Sequence, residues 1–460
     1  MADAACAESI VVDAVVRNGF VAGPDGVTPA DVAIEGGCIA AVGRDLPAGR
    51  DEIDARGLFV LPGLIDVHLH FNEPGRTDWE GAATGSRALA AGGGTVFFDM
   101  PLNSTPCTVN ANAFDLKRKA LEASSITDFG LWGGLVPGSV GEMAEMAARG
   151  VVGFKAFMSN SGLPEFPRAD DVTLLDGLRE AARLNLPVAV HAESEELTRG
   201  LAERMAARTV RAFLDSRPVI AELEAIQRAL LLAAEAHARL HIVHVSSGRG
   251  VALAAAARAH GVDVTIETCP HYLSFTEDDV ERLGAVAKCA PPLRSGEDYA
   301  GLWAELLGGH VDIVASDHSP APPAMKSGDF IAAWGGIAGV QSTLSVLLDR
   351  GCHERGLPLE RVASLVAGEP ARRFRIARKG SIEVGHDADL TLVDRDERWT
   401  LRAADLQQRH ALSPYLGESF RGRVRRTIRR GETLFMDGQI IATDGGRLVR
   451  PTDEDRSANV

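Results

Sequence analysis

The chain has 460 residues, 45% hydrophobic and 24% charged, with a formal net charge of −15. That balance belongs to a globular protein, and the length suits an α/β barrel of roughly 250 residues or more plus a smaller module. The acidic total argues against nucleic-acid or membrane partners. No apolar run approaches the ~18 residues of a membrane span, and the first residues lack the basic and apolar regions of a secretory signal.

In chain order, the first sixty residues alternate short apolar runs with Asn-Gly and Gly-Gly turns, the texture of an antiparallel β module. From residue 61 the pattern becomes βα. Eight strand candidates follow, at 61–69, 95–101, 126–135, 151–157, 187–193, 240–246, 263–269 and 312–316. They are short, rich in Val, Ile and Phe, and often apolar on both faces, as in a buried parallel sheet. Helical stretches lie between most of them, for example 219–235. Gly92-Gly-Gly-Thr95 lacks nucleotide-loop spacing and reads as a helix end. Eight βα units predict a (β/α)8 barrel rather than a doubly wound sheet. The β texture returns in 380–385, 389–394 and 427–435, so both chain ends are expected to form one β-sandwich module. The expected division is 1–61 and 378–460 for that module and 62–377 for the barrel. The arginine-rich run 421–430 alternates with apolar residues and reads as a half-exposed strand. Cys6, Cys38, Cys107, Cys269, Cys289 and Cys352 are scattered without a CxxC pair, which fits reduced thiols in a cytoplasmic protein.

A barrel carries its active site where the strands end. Candidate strand one ends in His68-Leu-His70, whose imidazoles leave the strand on the same side. Strand four carries Lys155, strand five His191, strand six His244 and strand eight Asp317. Any one of these has a bland reading: His191 or His244 as a hydrogen-bonded core residue, Asp317 as a helix cap. Four histidines and an aspartate on one rim make a metal site the better reading. His271 and His318 lie close enough to support it from behind, whereas His237, His241, His260, His310, His353, His386 and His410 read as structural. Lys155 sits among Val151, Val152, Phe154 and Phe157, so burial should depress its pKa and free a nucleophilic amine. Such an amine can form a Schiff base, pair with a carboxylate, or take up carbon dioxide as a carbamate. With the carbamate, His68, His70 and Asp317 serve one cation, His191 and His244 a second, and Lys155 bridges them. A water shared by two cations becomes acidic enough to attack an amide carbonyl, and Asp317 can carry its proton to the leaving nitrogen.

These residues resemble the amidohydrolase superfamily, in particular its cyclic amidohydrolases: dihydroorotases, hydantoinases and allantoinases. The shared motifs are Pro62-Gly-Leu-Ile-Asp-Val-His-Leu-His70, Glu73-Pro-Gly75, Gly153-Phe-Lys-Ala-Phe157 and 380–390, and the resemblance spans nearly the whole chain. It implies a barrel with a split β module and two divalent metals bridged by carboxylated Lys155. Zinc is the leading metal; cobalt, manganese, iron and nickel suit the same donors. Asp99-Met-Pro-Leu-Asn103, Lys288-Cys-Ala-Pro-Pro-Leu-Arg294 and the stretch from Ser316 to Gly339 are similar to allantoinases in particular. Dihydroorotases place an arginine two residues after the second histidine, where this chain has neutral Asn72. The resemblance therefore implies ring opening of allantoin to allantoate in purine catabolism, with Asn103, Cys289 and Gly335 as candidate ring contacts. It also implies a homotetramer. A hydantoinase or dihydropyrimidinase is the nearest alternative, and a non-catalytic scaffold relative would lack the metal ligands.

Overall fold

The computed structural model describes residues 12–24 and 26–452. Cys6 and the first residues, on which the secretory-signal reading rests, lie outside them. All eight predicted barrel strands form. They are strand one Leu64–Leu69, two Gly94–Asp99, three Asp128–Gly134, four Gly153–Phe157, five Val188–His191, six Leu240–Ile242, seven Val264–Thr268 and eight Ile313–Val314. Each pairs in parallel with the next. The ring closes through a parallel bridge between Leu69 and His318, where His70 N–H donates to the His318 carbonyl at 2.8 Å. Helices separate the strands, and Asn110, Asp170, Thr209, Ser247 and Ser295 cap five of them by accepting a backbone N–H. Among the described residues no helix is long and apolar enough to cross a membrane.

The barrel interior is filled by Ile65, Val67, Val96, Phe98, Trp132, Val152, Ala189, Val243 and Ile313, with Phe374 packed against Trp132. This plug leaves the chemistry to the opposite strand ends. Strand one's pairing with strand two slips between Asp66 and Leu69. Val67 can therefore pack inside the barrel while His68 and His70 reach its mouth.

Both chain ends build one mixed sheet of nine strands. Phe59–Pro62 lies at its centre, parallel to Phe20–Val21 and antiparallel to Leu390–Val393. The stretch expected as one strand over 61–69 is thus two, divided at Gly63, whose N–H donates to the Asp389 carbonyl. A Cβ there would meet Thr95 Oγ1 at 2.4 Å, so the crossing needs glycine. The segment 380–385 is not a strand but a pair of turns, with Gly380 and Gly385 at positive φ. The arginine run is the strand Ser419–Arg429 and the turn after it. Arg421 pairs with Asp396, Arg423 and Arg425 with Glu397, and Arg430 with Asp128, so the cluster is matched internally. Gly92 caps the helix Ala82–Ala91, as its sequence context suggests.

Candidate active site

Strands one, five, six and eight deliver their polar residues to one cavity of about 670 Å³, lined by His68, His70, His191, His244 and Asp317. The rings form a continuous row: His68 to His70 is 5.8 Å between centroids, His68 to His244 5.4 Å, and His244 to His191 4.7 Å. His191 closes its strand, whereas His244 and Asp317 lie just past theirs with φ of 41° and 42°. Non-glycine residues seldom adopt this left-handed conformation, and it aims both side chains at the mouth.

Hydrogen bonds fix which ring nitrogens face inward. His68 Nδ1 lies 2.7 Å from Glu267 Oε1, and His191 Nε2 lies 2.8 Å from Glu193 Oε2. With those nitrogens donating to carboxylates, His68 Nε2 and His191 Nδ1 keep their lone pairs. His68 Nε2 then points at Asp317 Oδ1 across 3.3 Å, with His70 Nε2 3.6 Å from the same oxygen. His191 Nδ1 faces His244 Nε2 at 3.0 Å. The His68 lone pair and the Asp317 oxygen repel unless a cation stands between them, and His68, His70 and Asp317 bring their donor atoms within 4.8 Å of one another. The donor set therefore fits a divalent metal.

Lys155 completes the set. Its side chain is buried, Nζ has no hydrogen-bond partner among the described residues, and it stands 5.0 Å from the centre of the Phe157 ring that stacks on His191. Burial pushes its ammonium down to about 8. An orphaned buried amine of this kind fits a modified lysine. Burial would raise the Asp317 carboxyl, but the His68 and His70 imidazoles more than offset it and hold it well below the ordinary range. Burial also opposes ionisation of Glu267 and Glu193. The His68 and His241 rings nonetheless hold Glu267 down at about 2, and Arg217 and His191 do the same for Glu193.

Of the proposed ring contacts, Asn103, Cys289 and Gly335 all line the cavity. Arg76, the arginine nearest Asn72 in sequence and not a proposed contact, does not line it: it pairs with Glu165 at 2.7 Å and donates to the Asn103 carbonyl. His318 faces away from the site, with Nδ1 accepting from Gly339 N–H, and His271 has both ring nitrogens without a hydrogen-bond partner among the described residues. Sequence reasoning missed the carboxylates behind the imidazoles. Glu267 also accepts from His241 at 3.0 Å and from the His244 N–H, which makes His241 a buried member of the network rather than a peripheral residue. The available signal was Glu193, two residues after His191 and so on the same side of an extended chain, by the reasoning applied to His68 and His70.

The amidohydrolase family model matches residues 59–434. Over 95% of this chain and 97% of the other, the sequence is 66% identical to a protein of Solibacter usitatus named allantoinase. A Rubrobacter xylanophilus protein of the same name is 59% identical over 96% and 98% of the two chains. Among solved structures, an L-hydantoinase (dihydropyrimidinase) from Arthrobacter aurescens matches with a TM-score of 0.93 at 35% identity, covering 96% of this chain and 100% of that one. On these grounds the chain belongs to the amidohydrolase family.

Proposed function

We propose that this protein hydrolyses one amide bond of the hydantoin ring of allantoin, giving allantoate. The observation that carries the reading is the convergence of four imidazoles and Asp317 on one cavity, with an unpaired buried lysine on strand four beside strand five, and with walls drawn in part from the allantoinase-like segments. His68, His70 and Asp317 would hold one divalent cation, His191 and His244 a second, with N-carboxylated Lys155 between them. Zinc suits this donor set, as do cobalt, manganese, iron and nickel. When bound, such a pair polarises an amide carbonyl and brings the pKa of a water toward neutrality.

Asp317 accepts the proton of the attacking water and passes it to the leaving ring nitrogen, a role suited to a carboxylate kept ionised beside two imidazoles. The new C–O bond forms as the C–N bond breaks, leaving a carboxylate and a free ureido group. Glu267 and Glu193 hold His68 and His191 in one tautomer and orientation throughout. Asn103, Cys289 and Gly335 position the ring. Asn72 supplies no positive charge and Arg76 is spent on Glu165, which disfavours a dihydroorotate-like carboxylate at this end of the cavity.

A second reading, hydrolysis of hydantoin or dihydrouracil, draws on the match to the L-hydantoinase. The resemblance also suggests a homotetramer, to be checked by light scattering, and the scattered free thiols suit a cytoplasmic setting. The decisive assay compares metal-replete protein on allantoin, hydantoin and dihydrouracil. Allantoin should be turned over fastest, and Lys155→Ala should lose activity by about a thousandfold. Faster turnover of hydantoin would favour the second reading. Full activity of Lys155→Ala, with no short-chain acid added, would overturn the bridging role.

A further inference from the structure

Ile331 through Gly336 all line the cavity, yet this stretch is neither helix nor strand. A wall of that kind, buried at Ala333 and Gly336, has carbonyls with no ladder to satisfy them. The Lys288 side chain supplies the partners: Nζ donates to the carbonyls of Phe330 at 2.8 Å, Ile331 at 3.0 Å and Ala333 at 2.7 Å. An ammonium has three donors and no acceptor, so these contacts saturate it. The same Nζ sits 5.1 Å from the Phe213 ring centre and 5.2 Å from that of Phe330, within cation–π range of both. Its backbone carbonyl accepts Gly336 N–H at 2.7 Å. Lys326 adds a second tie, donating to the carbonyls of Ala285 and Gly336. One buried side chain thus joins three elements that each contribute to the cavity: the helix Val210–Ser216, the segment leading into Cys289 and Ala290, and the wall 331–336.

We infer that Lys288 is a positioning residue that sets the shape of this cavity wall and, through it, the fit of the cyclic ureide. The second half of this inference rests on the allantoin reading above; the first does not. Lys288 touches no donor of the proposed metal centre, so its effect should fall on substrate fit more than on the chemical step.

Amide hydrogen exchange and steady-state kinetics on Lys288→Met and Lys288→Arg test it. In Lys288→Met, exchange across 330–336 should quicken by about tenfold or more as the wall loses its anchor. The KM for allantoin should rise by roughly tenfold with a smaller fall in kcat, at unchanged metal content. Lys288→Arg, which keeps a multidonor cation, should recover most of both. Where Lys288→Met does not fold, Lys288→Gln, which retains two donors, carries the same comparison. Unchanged exchange in the wall overturns the inference, and so does a loss confined to kcat. Failure of the wild-type protein to open allantoin would count against the proposed function alone, since the exchange comparison needs no substrate.

Discussion

Two buried lysines mark two regions of this molecule built on opposite terms. At the seam between barrel and end sheet, Lys379 lies among Asp128 at 2.9 Å, Asp387 at 3.0 Å and Asp389 at 2.7 Å. Burial would lower its pKa, but the carboxylates more than offset this and hold it above the ordinary lysine range. At the barrel mouth Lys155 is equally buried and has no such partner, so burial outweighs the more distant pull of Asp317 and Glu267. A buried cation ringed by carboxylates fastens two parts of a fold together; one left without them is available for covalent chemistry. The seam satisfies itself, whereas the mouth is completed only by something the chain does not encode.

Three experiments put that contrast to the test. The largest effect should come from Lys379→Met, which removes the cation shared by three carboxylates and leaves Asp389 with no ion pair among the described residues: about 3–5 kcal/mol of stability lost, read from the denaturant midpoint. Because the native pKa of Lys379 is raised, its contribution is complete below the ordinary lysine value and lost as pH climbs through the native one. The gap between wild type and variant should therefore narrow at strongly alkaline pH; a gap that widens there would refute the assignment. Next is Lys155→Met in metal-free, carbon-dioxide-free buffer, where the sign reverses. The fall from 10.5 to about 8 means the wild-type protein bears the cost of a buried charge below pH 8 and sheds it as pH rises toward 10.5. The variant should be the more stable protein at neutral pH, by up to about 3 kcal/mol, with the advantage fading through that window. Equal stability at pH 7 would show that the amine is not isolated. The smallest effect belongs to Glu267→Gln, which removes the anionic acceptor shared by His68 and His241. Metal affinity, measured by chelator competition, should fall about 10–100-fold, and an unaltered affinity would place Glu267 outside the centre's support.

Much of the barrel was legible because buried parallel strands impose a one-dimensional signature, a short run of Val, Ile and Phe, that needs no partner to be recognised. The same holds for His68, His70, Lys155, His191, His244 and Asp317: once a strand is recognised, its final residues are candidates. Glu267 was hidden by that logic. It sits inside strand seven, and a lone carboxylate in an apolar run reads as an interruption until His68, 199 positions away, is placed against it. His241 was hidden for the same reason, its contacts being with strand seven and the barrel plug. The left-handed backbones of His244 and Asp317 are set by the tertiary structure, since nothing local asks a histidine or an aspartate to adopt them. The glycines at 380 and 385 show the converse error: alternating apolar residues suggested a strand where two positive-φ turns bend the chain toward the sheet.

The strand Phe59–Pro62 runs straight into the segment that bears the first two imidazoles, and its neighbour on one side is Leu390–Val393. On a ribosome, that neighbour emerges only after more than three hundred further residues have been made. Phe59–Pro62 therefore waits, with one flank bare, until synthesis is almost finished. A message cut short before codon 390 would yield a product holding all eight barrel strands and the Leu69–His318 closure, yet leaving Phe59–Pro62 unpaired on one side, just upstream of the first two imidazoles.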